Sequence, residues 1–407
     1  MGGPIFELTL TGSGSNYSNN YAGKCFYSGQ TITGKVEFET KKQIKNVNII
    51  SVNFEGEKAV RWNNDEYNGQ EASRGKVKEC ETIVDKRVFV KWWPTANIDI
   101  GKYVFPFSFN IPKDIPCSFE GRYGHVRYLV KAKLGQGKEG QGIIFFSGLK
   151  RMMFITINNP INLNSIRACK HPVSVEESIT VGNFGWKSGT MSCTVKTPRV
   201  GYTSGETIKL SICINNKSDR RVVKAQVKLI MCIVYKSRCN SSKTENNVCA
   251  KTNLKDVLVG DNTSWTSMQV PIPAVPASNL RNTTNFSFID ISYRIEIHVT
   301  PSGLEYKFGL LNNKLVLGLP IIIGVIPLRN LHARRSGPVQ QNGEGSGNTL
   351  ESVDDSGEPF APLEEIDEYE LPPPTYEEAM LMNHSRLGQF KDVSDSYRPM
   401  YPIWNLD

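Results

Sequence analysis

An internal echo constrains the fold of this chain more than any other feature. SGQTI at Ser28–Ile32 returns as SGETI at Ser204–Ile208, 204 − 28 = 176 positions later. Strict alternation follows both copies. Ile32, Gly34, Val36 and Phe38 alternate with Thr33, Lys35, Glu37 and Glu39, while Ile208, Leu210, Ile212 and Ile214 alternate with Lys209, Ser211, Cys213 and Asn215. Successive strand side chains point to opposite faces, so a period of two marks a strand with one buried face. Identical parity at a fixed offset means that the strand and its turn are repeated together. Gly29 and Gly205 are expected in equivalent turns, where a positive φ costs glycine little.

Further echoes extend the repeat to domain size. After a one-residue slip, Ile50, Val52 and Phe54 correspond to Ala225, Val227, Leu229 and Met231, and VRYLVKA (Val126–Ala132) corresponds to ISYRIEI (Ile291–Ile297). A period this long indicates duplication of a domain, not a solenoid. The expected fold is all-β: two tandem immunoglobulin-like β-sandwiches, each with its own core, followed by a disordered acidic tail. Alternation lapses in NNPINLNSIRACKHP (Asn158–Pro172), between bracketing prolines. The expected division is residues 1–160, a linker at 161–175, a second sandwich at 176–330 and a tail at 331–407. LVLGLPIIIGVIPL (Leu315–Leu328) is too short to span a bilayer and reads as a buried strand.

Charge divides the chain at the same place. Ser336–Asp407 holds 15 Asp/Glu and 3 Lys/Arg, a net of −12, so the overall +8 conceals a body of +20. The tail has too little apolar surface to offset its ordering entropy and is expected to order only on binding. A basic body makes anionic phospholipids candidate partners. The basic pairs Lys41–Lys42, Lys150–Arg151 and Arg220–Arg221 lack interleaved aromatic platforms, so nucleic acid is not expected. The opening MGGPIFELTL resembles no secretory signal, and Phe6 stands where a myristoylation pattern needs Ser or Thr. Nine cysteines without a C-x-x-C pair argue for a reduced, cytoplasmic chain without a zinc site.

No motif supports catalysis, a cofactor or a metal. GQGKEG (Gly135–Gly140) fits the dinucleotide pattern but joins two strand-like runs, so it reads as a hairpin loop. The five histidines are scattered, and neither a G-x-S-x-G elbow nor a phosphate-binding loop occurs. Glu364 and Glu365 lie in the tail, where no scaffold fixes their separation.

LPPPTYEEAM (Leu371–Met380) is different. Pro372, Pro373 and Pro374 pre-set φ, so the peptide is largely in polyproline II form before it binds. Pro373–Pro374–Thr375–Tyr376 places a tyrosine one turn beyond the prolines, which suits the paired slots of a WW domain. An SH3 ligand would carry P-x-x-P with a flanking Arg, and none is near. Thr375 and Glu378 also form a capping box for a following helix.

FYSGQTITGKV, FEGEKAVRW, GKYVFPFSFNIP and SFEGRYGHVRYLVKA in the first half, and RVGYTSGETIKLSICINNKSDRRV, VPIPAVPAS and LPIIIGVIP in the second, resemble the α-arrestins, the arrestin-domain-containing proteins. The stretch after Trp92–Trp93–Pro94 carries no amphipathic helix, which favours that branch over visual and β-arrestins. The resemblance implies two arrestin-like sandwiches and a non-enzymatic adaptor. Such an adaptor joins membrane receptors or transporters to WW-domain HECT-type ubiquitin ligases, at the plasma membrane and endosomes. Pro373, Pro374 and Tyr376 would bind the ligase. Many relatives carry a second motif; here YRPMYP has Arg398 for the first proline, leaving a degenerate candidate in Pro399 and Tyr401. The alternative is an arrestin-fold cargo-sorting scaffold that works without a ligase.

Overall fold

A computed structural model describes residues 3–11, 25–63, 76–138, 142–183, 186–254, 262–279, 287–302, 314–329 and 397–403. In the first half the strands are β1 (Ile5–Leu10), β2 (Cys25–Tyr27), β3 (Thr31–Thr40), β4 (Ile44–Lys45), β5 (Ile49–Asn63), β6 (Lys76–Trp92), β7 (Asn97–Ile98), β8 (Gly101–Asn110), β9 (Phe119–Gly121), β10 (Gly124–Lys138) and β11 (Gly142–Asn158). In the second half they are β12 (Val173–Asn183), β13 (Trp186–Thr197), β14 (Gly201–Thr203), β15 (Thr207–Ser218), β16 (Val222–Lys236), β17 (Ser242–Leu254), β18 (Asn262–Pro271), β19 (Ile289–Pro301) and β20 (Leu315–Gly324). Among the described residues there is no α-helix, only two 3-10 turns, Leu163–Ser165 and Arg167–Lys170, in the expected linker.

Each half pairs a smaller sheet with a larger one. The first has β1-β3-β8 and β2-β11-β10-β5-β6; the second has β12-β13-β15-β18 and β14-β20-β19-β16-β17. In both, a three-residue strand runs parallel to the last long strand, β2 beside β11 and β14 beside β20. The alternating positions point inward as expected. Ile32, Val36, Phe38, Ile208, Leu210, Ile212 and Ile214 are all buried, and each contributes about 1.5–3 kcal/mol of apolar burial. After Trp93 the chain forms only the short β7, paired with β4, before β8 begins at Gly101, so no helix follows Trp92–Trp93–Pro94, as expected.

The duplication reaches individual hydrogen bonds. Tyr128 on β10 donates its hydroxyl to the Pro116 carbonyl at 2.7 Å, and Tyr293 on β19 donates to the Pro276 carbonyl at 2.6 Å. Ser118 exchanges two bonds with Ile157, its N–H donating at 2.7 Å and its Oγ accepting at 2.9 Å; Ser278 and Ile323 repeat this at 2.8 and 2.9 Å.

Two expectations need adjustment. The cores are not separate: buried residues from Phe6 to Ile323 form one connected cluster. The aromatic rings of Tyr123 and Tyr235 meet edge to face at 5.5 Å, and Lys58 bonds Glu81 while lying over Phe288, so contacts bridge the halves. The Gly135–Gly140 run does lie at a hairpin tip, but pairing continues to Lys138↔Gly142, so its first four residues are strand. Residues 139–141 lie outside the described residues.

Candidate functional site

Among the described residues, no group of three or more His, Cys, Asp or Glu side chains could hold a metal. No helix of the described residues is long and apolar enough to cross a membrane. The motif Pro373–Pro374–Thr375–Tyr376 lies outside the described residues.

Pro399 and Tyr401 are described, and both are buried. The expectation of an unpacked tail therefore does not extend to Tyr397–Ile403. Tyr397–Met400 lie along β11 on the face pointing away from Ile155 and Ile157, and Tyr401 and Ile403 then turn into the core cluster. Ile155 and Ile157 point inward and are fully buried; Thr156 and Asn158 have the other parity, which ordinarily faces water, yet they are 0% and 2% exposed. The reason is direct contact. Tyr397 stacks on Phe154 with ring centroids 5.0 Å apart and donates its hydroxyl to the Ile155 carbonyl at 2.9 Å. The Met400 N–H donates to Thr156 Oγ1 at 3.0 Å, and Asn158 Nδ2 donates to the Met400 carbonyl at 3.2 Å. Tyr401, 2% exposed, buries its ring in the sandwich core and donates its hydroxyl to the Ser118 carbonyl at 3.0 Å. Arg398 points to solvent, and Ile403 packs against the same core.

Electrostatics favour neutral groups here. Burial pushes the Tyr397 phenol up to about 12, against the opposing bonds from Thr156 and Ser118. Burial also pushes the Cys25 thiol up to about 11, so it stays protonated and its Sγ reaches the Met400 carbonyl at 3.8 Å. Beside them Arg127 and Glu120 form a two-point ion pair, with Nη2 2.9 Å from Oε2.

Sequence reasoning missed Thr156 and Asn158 because polar residues at alternate strand positions read as ordinary solvent-facing ones, and Cys25 and Ser118 because a three-residue strand and the residue before β9 show no period. The available signal was in the segment itself. YRPMYPI is an apolar island following a long acidic, polar run.

Comparison with known proteins agrees with this architecture. The family model "Arrestin (or S-antigen), N-terminal domain" matches residues 18–143, and "Arrestin (or S-antigen), C-terminal domain" matches residues 187–328. Arrestin domain-containing protein 17 of Caenorhabditis elegans is 25% identical over 343 residues, covering 79% of this chain and 73% of the relative. Arrestin domain-containing protein 4 of Homo sapiens is 24% identical over 324 residues, covering 78% and 72%. Arrestin domain-containing protein 1 of Rattus norvegicus is 26% identical over 205 residues, covering 50% and 44%. These likenesses support an adaptor and trafficking role. With two arrestin domains in tandem and relatives matched across both, the chain belongs to the arrestin-domain-containing, or α-arrestin, family.

Proposed function

We propose that this adaptor links membrane receptors or transporters to WW-domain HECT-type ubiquitin ligases, promoting ubiquitination and endocytosis of the cargo at the plasma membrane and endosomes. The observation that carries this reading is Pro373–Pro374–Thr375–Tyr376, a pre-extended proline ligand with its tyrosine one turn on. Tyr376 enters the aromatic-lined slot and Pro373 and Pro374 fill the neighbouring groove. The adaptor does no chemistry of its own. The test is calorimetry of a Glu368–Asn383 peptide against isolated WW domains, in wild-type and Tyr376→Ala forms. The wild-type peptide should bind and the variant should lose most of its affinity; equal binding would favour the ligase-independent sorting scaffold instead.

Anionic lipid is the further partner in this reading. On the outer face of the larger sheet of the second half, Lys228 and Lys251 stand directly opposite each other across β16 and β17. Like charges so placed are destabilising. Lys228 is held below the usual lysine range, first by burial and then by Lys251, with Lys224 and Lys314 adding to it and Glu296, opposite it across β19, working against it. Such a cluster gains when an anionic surface relieves its repulsion.

A further inference from the structure

The face covered by Tyr397–Ile403 has a counterpart in the second half. In the parallel registers Cys25 pairs with Thr156 and Tyr27 with Asn158, while Gly201 pairs with Ile322 and Thr203 with Gly324. The second half's face is closed by the linker. A Cβ at Gly201 would stand 2.4 Å from Cys169 Cβ, and one at Gly324 would stand 2.6 Å from Leu163 Cδ2. That cover is apolar, contiguous with the sandwich in sequence, and leaves no room.

The first half closes the same face in a different way. Its cover comes from 242 positions away, and Cys25 and Asn158 replace the two glycines. Thr156 and Asn158 together satisfy both the N–H and the C=O of Met400, the way a peptide-reading groove takes an extended backbone. Selectivity comes from the side chains on either side: a ring that stacks on Phe154, a buried proline, and a second ring that ends on the Ser118 carbonyl. Departure of the segment would return Thr156 and Asn158 to water, which can pair them, and the apolar loss would be confined to the places of Tyr401 and Ile403 at the core's edge, where the Ser118 carbonyl gives up the Tyr401 hydroxyl. Lifting the linker from Gly201 and Gly324 would instead expose apolar surface.

We propose that this face of the first sandwich is a reversible binding site for extended Tyr-x-Pro-x-Tyr peptides, and that the chain's own Tyr397–Arg398–Pro399–Met400–Tyr401 is its resident ligand. While that ligand is seated, Tyr401 is withheld from any WW domain, so Pro373–Tyr376 is the open motif and Pro399–Tyr401 the closed one. This consequence rests on the ligase reading above; the site does not.

The site is tested on the full chain with its resident ligand unseated by Tyr397→Ala and Tyr401→Ala together. A fluorescent peptide spanning Ser394–Asp407 is titrated and polarisation is read. The unseated chain should bind saturably, and the wild-type chain at least about tenfold more weakly, because a tethered ligand competes at high effective concentration. Thr156→Val in the unseated chain should abolish the difference. No binding, or equal binding by wild type and unseated chains, overturns the site. Hydrogen exchange on the unmodified full chain gives an answer independent of any variant's folding. The amides between Tyr397 and Ile403, Met400 above all since Pro399 and Pro402 have none, should be protected, yet exchange faster than those of β10. Protection equal to β10 means a permanent strap, and absence of protection means no docking; either overturns the proposal. A separate arm keeps Tyr401, carries Tyr376→Ala, and compares tandem-WW binding with and without Tyr397→Ala. Binding should rise when the segment is unseated. If peptide binding succeeds and this arm shows no rise, the closed-motif consequence and the ligase reading of Tyr401 fall, while the site stands.

Discussion

Gly29 and Gly205 occupy the same turn in the two halves, with φ of 86° and 94°. After each, a backbone N–H closes the turn at 3.1 Å: Gln30 onto the Tyr27 carbonyl and Glu206 onto the Thr203 carbonyl. The side chains close it again, Gln30 Oε1 accepting from the Tyr27 N–H at 2.8 Å and Glu206 Oε2 from the Thr203 N–H at 2.7 Å. At Gly29 an added Cβ would meet only the flexible Lys113 side chain at 3.3 Å, so the cost of Gly29→Ala lies in the backbone. Either Gly29→Ala or Gly205→Ala should destabilise by about 1–2 kcal/mol. Gly318→Ala, where a Cβ meets nothing within 4 Å, serves as the control and should be neutral or slightly stabilising. Thermal unfolding of the three variants decides it; equal midpoints would remove the positive-φ argument.

The paired tyrosines make a second comparison. Tyr128 and Tyr293 are both buried and both donate to a proline carbonyl, but Pro276 is buried whereas Pro116 is half-buried. Replacing the hydroxyl by hydrogen leaves the acceptor unpaired, and water reaches only the more open one. Tyr293→Phe should therefore cost about 1–3 kcal/mol and Tyr128→Phe only about 0.5–1.5. Denaturant unfolding of the two variants checks the order, and the reverse order would show that solvent access is not what separates them.

The strands were legible because a period of two survives in the sequence wherever one face is buried. Ile32–Phe38 and Ile208–Ile214 show it plainly, and Tyr128 and Tyr293 mark the closing strands. The parallel partners Cys25–Tyr27 and Gly201–Thr203 are three residues each, too short to display any period. The fused cores were illegible for another reason: Tyr123 and Tyr235 meet across 112 positions, and nothing local to either residue encodes that. The site on β11 was misread for the opposite reason. Thr156 and Asn158 obey the alternation and look solvent-facing, and only the apolar island at Tyr397–Ile403 gives away what covers them. Reading that island as a degenerate motif caught its tyrosine and missed its address.

The lysine cluster leads to a salt experiment. If Lys224, Lys228, Lys251 and Lys314 face an anionic leaflet, binding of the chain to phosphatidylserine vesicles should weaken steeply as ionic strength rises toward 0.15 M, where the screening length is about 8 Å. Lys228→Gln with Lys251→Gln should remove most of that binding without lowering the melting temperature, since the like-charge pair across β16 and β17 is gone. Equal sedimentation with neutral and anionic vesicles would defeat the lipid reading.

The Tyr397 phenol gives the docked segment a pH limit. Burial holds it up to about 12, whereas an exposed tyrosine ionises near 10. Below pH 10 the phenol is neutral whether the segment is seated or free, so docking does not change. Between about 10 and about 12 the free segment loses its proton while the seated one keeps it, so docking weakens by up to about tenfold per pH unit. The loss comes on the alkaline side only, because the shift is upward in an acid. Tyr397→Phe keeps the ring on Phe154, gives up the bond to the Ile155 carbonyl, and has no proton to lose. A tyrosinate absorbance titration of the wild-type chain minus that of Tyr397→Phe isolates this one phenol from the other fourteen tyrosines of the fifteen in the sequence. The difference should rise well above pH 10 and shift back toward 10 when Tyr401→Ala unseats the segment. A difference curve centred near pH 10 in both backgrounds would mean that Tyr397 is not buried against β11 in solution.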